Sequence, residues 1–317
     1  MPTLNRAAYL TEAIESLLAQ SCTDWQLLIA DDASNDDTPE VAEGYARRDS
    51  RIRYVRRTAR LGLIANWNHG FGATSGRYFA VLHDDDLWDR EFLSATTEVL
   101  DSIPEVAFVS TDHDVIDATG QLREHQSDAV AEAFGRKSMP GGVVSDTLRR
   151  ALDEQAFAIG ATVFRRTPLE SLGFLRPEAR AVADFDLFLR LASSGSAGYY
   201  LPRRLMHYRV HAAQVTSTAG VEKPLGMLAV LGPLRFEDAV LERVRKRKMR
   251  RAVYNVGRSY LESGNTSEAR PYLMRTLADP AFAGRAAVAL ALILLPAPSR
   301  QRVLATYRRF TSREAPD

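Results

Sequence analysis

The sequence predicts an α/β domain, a mostly parallel sheet flanked by helices, followed by an α-helical appendage. Three observations carry this. Apolar runs of strand length alternate with helix-periodic stretches as far as about residue 210, the rhythm of βαβ units. The apolar runs at Leu27–Ala30 and Tyr78–Leu82 each end in adjacent carboxylates, at the end of the strand where open α/β sheets bind ligands. Beyond Leu234 every periodic stretch has helical spacing.

Taken in order, Asn5 is expected to cap a helix reaching about Gln20, with Ala8, Leu10, Ile14, Leu17 and Leu18 on its apolar side. Trp25–Ala30 reads as a strand, Thr38–Arg48 as a helix with a charged outer face, and Arg51–Arg56 as a short strand. Leu63–Ala73 reads as a helix, and Gly76 marks the entry to the strand Tyr78–Leu82. A helix over Asp89–Leu100 and a strand over Val106–Ser110 follow. From Asp112 to about Pro140, Gly120, Gly135, Gly141 and Gly142 predict turns and loops. Regularity returns at Phe157–Phe164, then a helix from Asp184 and short strands at Tyr199–Leu201 and Leu205–Val210. The domain is read as residues 1–215, a connector as 216–233 and the helical region as 234–317, where Tyr254–Leu273 resembles a single tetratricopeptide-type hairpin.

Composition sets limits. The net charge of +1 conceals −11 over residues 1–200 and +12 over residues 201–317, two units of different character. A single cysteine, Cys22, excludes an intrachain disulfide and fits a reducing compartment. The opening Met1-Pro2-Thr3-Leu4-Asn5-Arg6 holds no apolar leader segment. Ala286–Leu295 is continuously apolar but too short to span a bilayer, so a cytoplasmic protein, peripheral at an inner membrane face, is expected. The basic run Arg243–Arg251 suits a solvated helix face or anionic lipid head groups. It has no aromatic platform for nucleic acid.

The chemistry is expected at four places. Asp84-Asp85-Asp86 follows an apolar strand. Three carboxylates there call for a cation, and oxygen donors suit Mg²⁺ or Mn²⁺ held together with substrate phosphates. Asp31-Asp32 closes another strand and suits a nucleobase or ribose, whereas Asp36 and Asp37 suit helix capping. Asp184 and Asp186 open a helix, as caps or as a general base. His211 follows a short strand, and Arg209 beside it is a surface charge or a phosphate clamp.

Together these stretches resemble a family 2 glycosyltransferase of the GT-A fold. Pro2-Thr3-Leu4-Asn5-Arg6 resembles the family's Pro-Thr-Tyr-Asn-Arg opening, and Ala30–Thr38 its Val-Asp-Asp-Gly-Ser-Thr-Asp-Asp-Thr nucleotide segment. His83-Asp84-Asp85-Asp86-Leu87-Trp88 stands where the family has its Asp-x-Asp metal motif. Ala183-Asp184-Phe185-Asp186-Leu187 resembles Glu-Asp-Tyr-Asp-Leu, and Tyr208-Arg209-Val210-His211 resembles Tyr-Arg-x-His. The likeness spans about residues 1–215, with its segments in the family's order. It implies that Pro2, Thr3, Asp31 and Asp32 line the nucleotide pocket. Asp85, helped by Asp84 or Asp86, would hold the metal on the diphosphate, with His211 as a further ligand and Asp184 as catalytic base. Members carry a Val/Ile-rich strand before the Pro-Thr pair. Here the chain starts at that pair, so a gap beside the nucleotide pocket is expected.

The expected activity is inverting transfer from a nucleotide-diphosphate sugar to a glycan or lipid-linked acceptor in cell-surface polysaccharide synthesis. A sugar-phosphate nucleotidyltransferase is the enzymatic alternative, although Asn5-Arg6-Ala7-Ala8 offers no Gly-rich basic loop. A non-catalytic scaffold is the other.

Overall fold

The elements that position the candidate residues are seen here in a computed structural model that describes residues 1–212, 214 and 220–311. The chain forms two units. The first comprises Met1–Pro177 and Ala183–Ala212, and the second Glu178–Val182 with the described residues beyond Ala212.

The first unit opens with β1 (Pro2–Thr3), α1 (Ala7–Leu18), β2 (Leu27–Asp31), α2 (Thr38–Arg48) and β3 (Ile52–Arg56). These strands make a parallel sheet in the order β1-β2-β3, with Thr3 opposite Asp31 and Asp31 opposite Arg56. β2 is buried throughout, as expected of a strand covered on both faces. Helix α1 buries Leu10, Ala13, Ile14 and Leu17 at i, i+3, i+4 and i+7, the stripe its sequence predicts. Asn5 does not cap it. Asn5 takes a left-handed φ of 55°, and its side-chain oxygen accepts the Asn35 N–H at 2.8 Å. Asp36 serves both helices instead, accepting from Thr38 N–H at 3.0 Å and Ala7 N–H at 3.3 Å.

Next come α3 (Leu63–Gly72), β4 (Tyr78–Ala80), β5 (Leu87–Trp88), α4 (Phe92–Ser102) and β6 (Val106–Asp117). They are followed by α5 (Glu124–Ala133), β7 (Gly142–Val144), α6 (Thr147–Arg149, continued by a π-helical turn over Arg150–Glu154) and β8 (Thr162–Arg165). The unit closes with α7 (Arg166–Leu172), α8 (Ala183–Ser193) and β9 (Ala197–Val210). The second sheet runs β4-β8-β6-β9-β5, with β7 also on β9. It is mixed: β6 lies parallel to β9, and the other pairs are antiparallel. The two short strands expected at Tyr199–Leu201 and Leu205–Val210 are one strand, whose register against β6 slips at Thr111–His113. β6 itself runs to Asp117 and α5 follows, so order extends well into the stretch expected to be turns and loops.

The slipped register of β6 carries a buried polar cluster. Arg136 Nε donates to Asp112 Oδ1 at 2.8 Å, and Arg136 Nη2 lies 3.4 Å from His113 Nε2. Burial, then the charge of Arg136, drives the His113 imidazole from its ordinary value of 6.5 down to about 3. The unfolded chain therefore binds a proton that the folded chain refuses. Stability is expected to fall as pH drops from 6.5 toward about 3, with a slope up to about 1.4 kcal/mol per pH unit. His113→Asn should flatten that part of a melting temperature–pH profile. An unchanged slope would show that the loss originates elsewhere.

The second unit is helical: α9 (Glu222–Leu231), α10 (Ala239–Glu262), α11 (Thr266–Thr276), α12 (Ala283–Ile293) and α13 (Ala297–Thr311). The expected connector, 216–233, therefore contains α9, and its residues 216–219 lie outside the described residues. Asp238 caps α10, accepting from Val240 and Leu241 N–H groups. α10 and α11 form a hairpin closed by Leu261, Ala269 and Leu273. A Cβ on Gly257 would lie 2.8 Å from Leu273 Cγ, so only glycine permits that approach.

Candidate active site

Three loops meet at the carboxyl ends of β1, β2 and the β4–β5 connection, and each is fixed by hydrogen bonds that its own sequence supplies. After β2, the Asp31 carboxylate turns inward and is fully buried. Its Oδ1 accepts the Ser34 N–H at 2.8 Å and the Ser34 hydroxyl at 2.6 Å, and its Oδ2 accepts the Tyr54 hydroxyl at 2.6 Å. Asp32 accepts the Leu61 N–H at 2.6 Å and the Gly62 N–H at 2.9 Å. The two carboxylates thus shape the loops after β2 and β3. Between them and the helix, Ala33 holds φ 65°, which costs a non-glycine residue about 1 kcal/mol. The resembling family segment has glycine there.

The Asp triplet divides its labour. Asp86 is buried, its Oδ1 accepting the Arg209 N–H at 2.9 Å and its Oδ2 lying 2.8 Å from His83 Nδ1. Burial raises the Asp86 carboxyl, with His83 opposing. Burial likewise works against a charged His83, yet Asp86, Asp85 and Asp84 hold its imidazole above the ordinary value. His83 in turn packs against Gly160, where a Cβ would meet the ring at 3.1 Å. Asp85 is largely covered, with its Oδ2 3.0 Å from His211 Nε2. Asp84 is pushed up to about 6 by burial and then by Asp85, while Thr3, Arg6 and His83 pull the other way.

Arg209 is fully buried, which excludes the surface charge that its sequence context allowed. Its guanidinium donates to the Asp85 carbonyl at 2.8 Å and to Glu12 Oε2 at 2.7 Å, and lies 4.9 Å from the Tyr9 ring centroid. Tyr9 also packs on His211, with centroids 4.8 Å apart. Neither Glu12 nor Tyr9 was expected at the site from the sequence. They flank the stripe of α1 beside Leu10 and Ala13, and nothing local marks them for the site.

The structure therefore brings Thr3 opposite Asp31, Thr3 beside Asp84, and Asp85 against His211. Asp184 stands on another element, exposed in the first turn of α8, with its Oδ1 accepting the Phe185 N–H at 2.8 Å. Two residues on, Asp186 is fully buried and paired with Arg176 and with Arg190 Nε, the latter at 2.8 Å. One carboxylate faces outward and the other locks the helix.

Asp85 and His211 supply an oxygen and a nitrogen donor side by side, and among the described residues no group of three or more His, Cys, Asp or Glu side chains is arranged to hold an ion. This fits Mg²⁺ or Mn²⁺, which are commonly bound by one or two protein carboxylates and completed by substrate phosphates. It does not fit a closed structural metal site.

Comparison with known proteins gives the family and the fold. The sequence profile of Glycosyl transferase family 2 matches residues 1–173. The chain is 30% identical over 203 residues to the putative glycosyltransferase EpsE of Bacillus subtilis, covering 63% of this chain and 68% of EpsE. It is 35% identical over 101 residues to the GalNAc(5)-diNAcBac-PP-undecaprenol beta-1,3-glucosyltransferase of Campylobacter jejuni, covering 32% of this chain and 31% of that protein. Other matches are partial: they span 12% of protein y4gI of Sinorhizobium fredii and 16% of the O-antigen biosynthesis protein RfbC of Myxococcus xanthus. Among solved structures, S. aureus TarS 1-349 in complex with UDP-GlcNAc aligns at TM-score 0.61 and 15% identity, over 97% of this chain and 90% of TarS 1-349. The mannosyltransferase PcManGT from Pyrobaculum calidifontis, in complex with GDP-Man and Mn2+, aligns at TM-score 0.61 and 17% identity, over 98% and 82%. The fold is that of a GT-A glycosyltransferase. With its nucleotide-type loop, acidic turn and late histidine lying within that fold, the chain belongs to Glycosyl transferase family 2.

Proposed function

We propose that this chain moves a sugar from a nucleotide-diphosphate donor to a saccharide or lipid-linked acceptor, with inversion at the anomeric carbon. The observation that carries the reading is the Asp85–His211 pair, 3.0 Å apart at the end of the acidic turn. The nucleotide would lie over β1–β3, against Pro2 and Thr3, within the loops that Asp31 and Asp32 hold in shape. Asp85 and His211 would hold a divalent cation with the donor diphosphate, and Asp84 would face the same charge. Such a cation offsets negative charge on the leaving diphosphate. Asp86, engaged by His83 and Arg209, would hold the turn rather than touch the ion.

Asp184 would accept the proton of the acceptor hydroxyl. As that oxygen bonds to the anomeric carbon, the bond to the diphosphate oxygen breaks, and the electron pair leaves with the nucleotide. The helix dipole at the start of α8 favours the ionised carboxylate this requires. The undecaprenol-linked acceptor named for the Campylobacter relative supports a lipid-linked acceptor here. The second unit would rest on an anionic membrane surface. Arg243, Lys246 and Arg247 on α10, Val288 on α12 and Leu294 just after it are exposed, and no helix among the described residues is long and apolar enough to cross a membrane.

Calorimetry with UDP, dTDP and GDP, each with Mn²⁺, Mg²⁺ or EDTA, tests the reading. One nucleotide should bind, at least about tenfold more tightly with metal than with EDTA. A folded chain that binds none of the three, or binds one equally with and without metal, would overturn it.

A further inference from the structure

The Asp85–His211 pair draws its members from segments 126 positions apart in sequence. Asp85 stands in the turn between β4 and β5, and His211 follows the last residue of β9. Neither lies inside a helix or strand that would set its side chain by itself. The groups that hold the two together come from α1.

Tyr9 and Glu12 stand one turn apart on α1 and so share a face of it. The Tyr9 ring packs against the His211 imidazole, with centroids 4.8 Å apart and planes inclined by 40°. The Arg209 guanidinium lies 4.9 Å from the same ring, a cation–π contact. The meeting with Asp85 fixes one atom of the imidazole, Nε2, and leaves the ring free to turn about that contact. An aromatic surface against the ring sets its plane. Histidines that bind metals are ordinarily oriented by a neighbour that is not itself a ligand, and here that neighbour is Tyr9. Both of its contacts come from the ring and not from the hydroxyl.

Glu12 acts on the other member of the pair. Its Oε2 accepts from Arg209 Nη2 at 2.7 Å. Arg209 Nε donates in turn to the Asp85 carbonyl at 2.8 Å, and Nη1 to the Ala118 carbonyl at 3.5 Å. The backbone of Asp85 is therefore pinned by a guanidinium whose direction Glu12 sets. Glu12 is half exposed, whereas the Arg209 side chain is fully buried. An unbalanced positive charge buried there would repel an incoming cation, and the Glu12 carboxylate neutralises it.

We infer that Tyr9 and Glu12 are positioning residues for the divalent cation: Tyr9 sets the plane of His211, and Glu12 aims and neutralises the arginine that pins Asp85. The inference rests on the metal-dependent donor binding proposed above.

The test is the ratio of nucleotide Kd in EDTA to that in Mn²⁺, measured by calorimetry with UDP, dTDP and GDP. It compares the parent chain with Tyr9→Phe, Tyr9→Leu and Glu12→Gln. Tyr9→Phe should keep the parent's ratio, because the ring remains. Tyr9→Leu and Glu12→Gln should each lower it about tenfold, with binding in EDTA unchanged. A merely structural role would lower the melting temperature and leave the ratio of the folded protein where it was. Should Tyr9→Leu not fold, Tyr9→Met takes its place with the same expectation. A parent-like ratio in both variants would overturn the inference and leave the metal-dependent reading standing. Equal weakening in Mn²⁺ and in EDTA would also overturn it, by placing the two residues in the nucleotide pocket. A change in one variant alone keeps that residue in the role and removes the other. A parent that binds nucleotide equally with and without metal would overturn the underlying reading, and the inference with it.

Discussion

Asp184→Asn lowers kcat by roughly 10²–10⁴-fold, the contribution of a positioned general base, and leaves metal-dependent nucleotide binding unchanged. The separation follows from placement. Asp184 is exposed at the start of α8, whereas the residues proposed for the donor lie on β1, at the end of β2 and between β4 and β5. Asparagine retains an oxygen to accept the Phe185 N–H, so the helix start is preserved and only proton acceptance is lost. Transfer assays with the acceptor, together with calorimetry for the donor, read the two quantities apart. Full turnover in the variant would remove Asp184 from the reaction. Loss of donor affinity alongside kcat would place it in binding instead.

Asp85→Ala weakens nucleotide binding in Mn²⁺ by roughly tenfold to a hundredfold, and leaves the weak binding in EDTA as it was. The Asp85 side chain is largely covered but does not anchor the turn, because Arg209 holds its backbone carbonyl and Asp86 makes the structural bonds. The melting temperature should therefore stay within a few degrees of the parent. His211 loses its 3.0 Å partner in this variant and remains alone to meet the cation. Binding that still depends on metal to the same degree would assign the ion to Asp84 or to residues outside the pair.

Much of the first unit was legible because its elements obey simple periodicities. Leu10, Ile14 and Leu17 read as one helix face and are one face. Of the expected strand Trp25–Ala30, Leu27–Ala30 lies in β2 and is buried at every position, while Trp25 and Gln26 precede it. Positions decided by distant partners were not legible. Nothing local distinguishes Asp85 from Asp86, yet one faces His211 and the other faces His83 and the Arg209 backbone. Arg209 resembled a surface residue because its partners, Glu12 and the Asp85 carbonyl, lie 197 and 124 positions away in sequence. Asn5 resembled a helix cap by residue type, but its left-handed backbone turned the side chain toward the next loop. Tyr199–Leu201 and Leu205–Val210 read as two strands, but they belong to the single strand β9. Here Pro202 lies where the register against β6 slips between Leu201 and Arg204.

The burial of Arg209 also sets the order in which the protein can come into being. Its partners belong to α1 and to the acidic turn, and Arg209 itself stands on β9, which is complete only at Val210. Contacts so far apart in sequence close late, after local helices and hairpins have formed. On the ribosome, the turn that carries Asp84–Asp86 is made early but waits for more than a hundred further residues, a number consistent with the 124-residue separation of Arg209 from Asp85. Chain synthesis itself thus delays assembly of the acidic turn until almost the whole first unit exists to hold it.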